Sequence, residues 1–108
     1  MMIITLCGST RFKSEFEQIT RELTMSNHIV LAPGVFAHAD QIKLTETQKR
    51  QLEELHLRKI DMSQCIYVID VDGYIGTSTQ REIHYARRKG KPVWYWTELH
   101  AGLTGWGS

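Results

Sequence analysis

Two short polar segments hold the residue types that chemistry on a small ligand needs. The first is Gly8, Ser9, Thr10 and Arg11. A glycine lets a ligand approach the backbone, hydroxyls donate hydrogen bonds, and a guanidinium matches phosphate or carboxylate. The free N–H groups of a helix starting there favour an anion as well. A glycine turn followed by an N-cap at Ser9 or Thr10 explains the same residues about as well. The segment is not a dinucleotide fingerprint, because GxGxxG fails at its second glycine, and no GxxxxGK[ST] P-loop exists.

The second segment, residues 70–82, carries Asp70, Asp72, Gly73, Tyr74, Gly76, Ser78, Thr79 and Glu82. Glu82 is the leading candidate for catalysis, since a carboxylate can attack an electrophilic sugar carbon or hold a ribose hydroxyl. The plainer reading is that Thr79 and Glu82 form a capping box that contributes about 1 kcal/mol. Ser78, Thr79 and their backbone N–H groups can hold an anion beside Glu82. Asp70 and Asp72 alternate, so in a strand they point to opposite sides. The pair can also offer oxygen ligands to Mg²⁺, but Gly8–Arg11 supplies no third carboxylate.

Other candidates have plainer explanations. His56 lies in a helical pattern, where a histidine is usually a surface or half-buried residue. Phe36 and His38 in a loop can stack on a base or simply pack. Trp94, Tyr95 and Trp96 suit core or subunit packing. Cys7 and Cys65 have neither a disulfide pattern nor zinc-site spacing and no obvious paired base, and no GxSxG elbow exists. A Ser or Cys hydrolase is therefore not expected.

The elements that must position these residues can be read from periodicity. Ile3–Cys7, His28–Leu31, Ile66–Val71 and Val93–Trp96 are short apolar strands. Phe12, Phe16, Ile19 and Leu23 recur at helical spacing, and Thr45 with Gln48 opens a second helix with Leu52, Leu55 and Ile60 inward. A third helix runs from about Thr79 to Lys89 and stops at Gly90 and Pro92. Residues from Pro33 to about Leu44 show no period, and Gly102–Ser108 reads as a glycine-rich, flexible tail. Strands separated by helices imply one parallel sheet covered on both faces. The expectation is a single α/β domain over 1–108, a small doubly wound, Rossmann-like sheet of four strands in order 2-1-3-4. Ligands of such sheets bind beyond the carboxyl ends of the strands. That rule brings both polar segments to one edge.

Bulk properties narrow the partners. The chain has 108 residues, 13 basic and 12 acidic side chains and a net charge of +1, so no global field calls for a polynucleotide. No apolar run has the roughly 18–20 residues of a membrane span, and no signal peptide is read. The expected setting is cytoplasmic.

The strings CGSTRF and DGYIGTSTQREIHYARRKGKPV, with this element order, resemble the nucleoside 2-deoxyribosyltransferase-like family, which includes deoxynucleoside 5′-monophosphate N-glycosidases. The resemblance covers about residues 3–96. It implies that Glu82 attacks the sugar C1′ of a nucleoside or nucleotide, with water or a second base completing hydrolysis or transfer. It further implies that Gly8, Ser9, Thr10 and Arg11 contact sugar or phosphate, with Ser78 serving the same end. Asp70, Gly73, Tyr74, Gly76 and Thr79 fall on the same edge and are assigned to substrate. The family often has Asp or Ser where this chain has Gly76, which makes Asp72, Asp70 or Ser78 the expected partner of Glu82. A family acid on the preceding helix falls near Glu53 or His56. No cofactor or metal is implied, and a homodimer or larger homo-oligomer is. Two alternatives stand beside this reading. One is a nucleotide-binding module without turnover, and the other is a Mg²⁺-dependent phosphoryl-transfer enzyme using Asp70 and Asp72.

Overall fold

A computed structural model of the chain describes residues 1–100. The tail from Gly102 lies outside them. Strands β1 (Ile3–Gly8), β2 (Ile29–Leu31), β3 (Cys65–Ile69) and β4 (Val93–Tyr95) alternate with helices α1 (Lys13–Met25), α2 (Glu46–Met62) and α3 (Thr77–Arg88). All pairings are parallel, in the order β2-β1-β3-β4. The expected doubly wound α/β sheet is therefore what the chain forms.

Alternation along the two central strands divides the core between the faces. Ile4, Leu6, Cys65, Tyr67 and Ile69 pack with Phe16 and Ile19 of α1, while Phe12 and Leu23 close the same face at its margins. Cys7, Ile66 and Val68 point the other way, onto Ile60 of α2 and Ile83 and Ala86 of α3. All five residues of β3 are buried, the pattern of a parallel strand covered on both sides. The consequence for function is that Cys7 faces α2 and α3.

Several local expectations change. Helix α1 starts at Lys13, three to four residues after Ser9 and Thr10, and its Phe12 cap makes no side-chain hydrogen bond. Neither Ser9 nor Thr10 caps it. Thr45 does cap α2, in a complete capping box with Gln48. Leu55 is 56% exposed, and the buried positions of α2 are His56 and Ile60. One helical step separates Leu55 from His56, and that 100° rotation puts the histidine on the sheet side.

Helix α3 begins earlier than its sequence suggests, with Gly76 as N-cap and no side-chain capping bond. Thr79 is thus inside the first turn and buried, and Glu82 belongs to the second turn. The Thr79–Glu82 capping box does not form. Strand β3 also ends early, at Ile69, and Val71–Gly73 makes a 3-10 turn. Asp72 takes φ 55° there, a left-handed conformation that Asp tolerates better than most residues. Alternation therefore never relates Asp70 to Asp72.

Candidate functional site

The carboxyl ends of β1 and β3 exit side by side, with Gly8 paired to Ile69. Gly8 has φ 153°, and a Cβ there would meet the Ile69 carbonyl oxygen at 2.7 Å. Only glycine fits this crossing, so the first polar segment leaves the sheet where its sequence put a turn.

The hydroxyls after Gly8 organise the loop instead of capping α1. Ser9 Oγ accepts hydrogen bonds from the Arg11 backbone N–H at 3.3 Å and from Arg11 Nε at 3.0 Å. Thr10 Oγ1 accepts from the His38 backbone N–H at 3.3 Å, and a Lys13–Asp40 ion pair at 2.9 Å braces the same contact. The aperiodic loop is thereby held against the exit of β1. Arg11 lies 4.3 Å above the Tyr74 ring, and its Nη2 is 3.4 Å from both Tyr74 Oη and His38 Nε2. No carboxylate pairs with Arg11 among the described residues, so its charge is available to an anion.

These pieces border an open cavity of about 910 Å³, a size that suits a nucleoside-sized ligand. The exit of β1 contributes Gly8, Ser9, Thr10 and Arg11, and the start of α3 contributes Gly76, Ser78, Thr79 and Glu82. Tyr74 joins them from the intervening loop. The structure thus gathers nine of the twelve site residues read from the sequence. One wall was not anticipated as a unit: Lys49, Leu52, Glu53, His56 and Lys59 recur at helical spacing along α2. That spacing was a usable signal, since it marks a single face of one helix.

Asp70, Asp72 and Gly73 do not line the cavity. Asp70 is buried, and both its oxygens are engaged by Thr97, from the backbone N–H at 2.9 Å and the hydroxyl at 2.7 Å. It fastens the end of β3 to the segment after β4. Asp72 and Gly73 are exposed on the turn after β3. Asp72 therefore has no place in the cavity beside Glu82.

Glu82 sits deep in the cavity, its side chain 13% exposed and its Oε1 3.8 Å from His56 Nε2. His56 Nε2 is in turn 3.4 Å from Cys7 Sγ, and that sulfur lies within 4.8 Å of the Glu82 carboxylate oxygen. Burial pushes Glu82 up from 4.5 to about 7, and the nearby Glu53 charge adds to that, while the Cys7 contact and Arg81 pull the other way. Burial, helped by the Lys59 charge, lowers His56 from 6.5 to about 4. The His56–Glu82 contact is accordingly not an ion pair near neutral pH, because the imidazole is neutral there. Burial likewise raises the Cys7 thiol well above its usual value.

Glu53 is the second carboxylate on this wall. It accepts hydrogen bonds from Ser78 Oγ at 3.0 Å and Arg81 Nη1 at 3.2 Å, which tie α2 to the first turns of α3. Ser78 is thus committed to Glu53 in this arrangement. Other anion donors at this edge include the uncapped N–H groups of α3 and the Arg11 guanidinium. Such a site can hold a ligand with an anionic group near Arg11 and present a deep carboxyl to it. The chain matches no protein-family model, no curated protein and no solved structure.

Proposed function

We propose that the protein is an N-glycosidase or deoxyribosyltransferase-type enzyme acting on a nucleoside or nucleoside 5′-monophosphate, with Glu82 as nucleophile. The observation that carries this reading is the deep Glu82 carboxyl in a cavity that also holds Gly8–Arg11. The resemblance of CGSTRF and the Asp72–Val93 stretch to the nucleoside 2-deoxyribosyltransferase-like family supports the same assignment.

In the proposed reaction an ionised Glu82 oxygen attacks C1′ from one face of the sugar. The C1′–N bond breaks, its electron pair leaves with the base nitrogen, and that nitrogen takes up a proton. Water then attacks C1′, releasing the sugar and restoring the carboxylate, or a second base takes the place of water. A carboxylate suffices to stabilise the oxocarbenium-like transition state, so the chemistry needs no metal. Glu53 replaces Asp72 as the carboxylate to test beside Glu82, because it lines the cavity and its charge acts on Glu82. Arg11 is assigned to a 5′-phosphate. Like the members of the resembling family, the chain is proposed to work as a homo-oligomer in the cytoplasm.

Incubation with deoxynucleosides and their monophosphates, followed by chromatography for free base, tests the reaction. A binding module without turnover is the second reading, favoured by the absence of Asp72 from the cavity. It predicts thermal stabilisation by a nucleotide with no base released. The phosphoryl-transfer alternative loses support from the geometry of Asp70, whose two oxygens both serve Thr97.

A further inference from the structure

Cys7, His56 and Glu82 each present one ligand atom, and these atoms all lie within 4.8 Å of one another. They come from three elements, β1, α2 and α3, and meet below the cavity floor. The sulfur and the imidazole nitrogen are 3.4 Å apart, and the nitrogen and the carboxylate oxygen are 3.8 Å apart. Ligands at ordinary zinc distances in a tetrahedron sit about 3.3–3.6 Å from each other. Small side-chain adjustments therefore bring all three atoms onto one ion. We propose that Cys7, His56 and Glu82 form a binding site for a thiophilic divalent cation, Zn²⁺ above all, that reaches them through the cavity.

Charge and chemistry favour this occupant. A thiolate and a carboxylate together carry two negative charges, which a divalent ion cancels, and a neutral complex suits a buried place. The ion displaces the thiol proton, and the carboxyl proton where it is present, to solvent, while the neutral imidazole donates a lone pair without losing a proton. Sulfur and imidazole ligands select Zn²⁺, Co²⁺ or Cd²⁺ over Mg²⁺. Three protein ligands leave a fourth position, and His56 and Glu82 both border the cavity from which it is reached. This is the pattern of an open site.

The metal site stands without the glycosidase reading. If that reading also holds, the ion occupies the nucleophilic oxygen, and zinc is a reversible inhibitor that competes with substrate.

Titration of chelator-stripped protein with Co²⁺, followed by absorption spectroscopy and calorimetry in the absence of substrate, tests the site. The expected result is one ion per chain, with a thiolate-to-cobalt charge-transfer band in the near ultraviolet that Zn²⁺ abolishes. Cys65→Ser keeps the band. Cys7→Ser removes it and weakens binding by more than about 100-fold, beyond the 10- to 100-fold typical of losing a residue that merely supports a ligand. His56→Gln, which leaves the thiol in place, weakens Co²⁺ to a similar extent and covers the case of a misfolded Cys7 variant. Absence of binding, binding without the thiolate band, or undiminished affinity in both variants overturns the proposal. None of these readouts depends on turnover, so the metal site can fail while base release is found, and the reverse.

Discussion

At the scale of single residues, burial sets the protons of Glu82 and His56. A carboxyl whose folded pKa is raised favours the folded state most when both states are protonated. Folding therefore loses Glu82's contribution as pH rises from 4.5 to about 7. His56 works in the opposite sense. Its lowered pKa contributes stability above 6.5 that is lost as pH falls toward about 4. In the window that they share the two trends offset each other, so wild-type protein hides both. Glu82→Gln removes one. Relative to that variant, wild type is expected to lose about 3 kcal/mol between pH 4.5 and pH 7.5, measured by denaturant unfolding in the presence of EDTA. Equal pH dependence of the two proteins would mean that Glu82 is solvated like an ordinary carboxylate. The same pKa governs the proposed reaction, because only the ionised form is nucleophilic. With EDTA present, kcat/KM is expected to climb through about pH 7 and level off above it. A rate already flat from pH 5 upward would exclude Glu82 in this protonation state as the nucleophile. Arg11 makes a separate prediction. Its guanidinium has no carboxylate partner among the described residues, so Arg11→Ala should lower kcat/KM for monophosphates by roughly tenfold or more. Unphosphorylated nucleosides should be spared, and equal losses for both substrates would remove the phosphate assignment.

At the scale of elements, the sequence carries most of the fold and only part of the site. A run of β-branched and aromatic residues such as Ile66–Ile69 marks the buried parallel strand here, and the four strands sit within one or two residues of their runs. Alternation with helices then leaves few topologies. What periodicity does not encode is which of two adjacent helical positions meets the sheet. That is why α2 buries His56 and leaves Leu55 exposed. Nor does a local motif compete on equal terms with tertiary contacts. Thr79 is followed by a well-spaced Glu82, yet α3 starts at Thr77 with Gly76 as its cap, which leaves both residues inside the helix. Thr45 and Gln48 have no such competition on the exposed start of α2, and their capping box forms. Asp70 illustrates a third kind of miss, because its partner Thr97 lies 27 residues along the chain. Two substitutions separate these cases in unfolding experiments. Thr45→Ala should cost about 1 kcal/mol through the lost cap. Gly8→Ala should cost clearly more, since its new Cβ would press on the Ile69 carbonyl oxygen across the central strand pair. A Gly8→Ala protein as stable as wild type would mean that β1 and β3 can part at the site without penalty.

For the whole molecule, the parallel sheet explains why distant segments of the sequence act on one ligand. Every strand in it exits toward the same edge, so the turn after β1 and the start of α3 share a cavity although they lie far apart in sequence. The third wall, α2, closes the cavity and brings Glu53 and His56 to Glu82. The same convergence makes the proposed zinc site possible, because its ligands come from three different elements. The proposed reaction is attack of the Glu82 carboxyl on a sugar carbon. It is tested most directly by quantifying free base after incubation with a panel of deoxynucleosides and 5′-monophosphates in EDTA, for wild type and for Glu82→Gln. Base release by wild type is expected, with a loss of more than about 1,000-fold in a Glu82→Gln protein that remains folded. No free base from any substrate, or a folded Glu82→Gln protein as active as wild type, would contradict it.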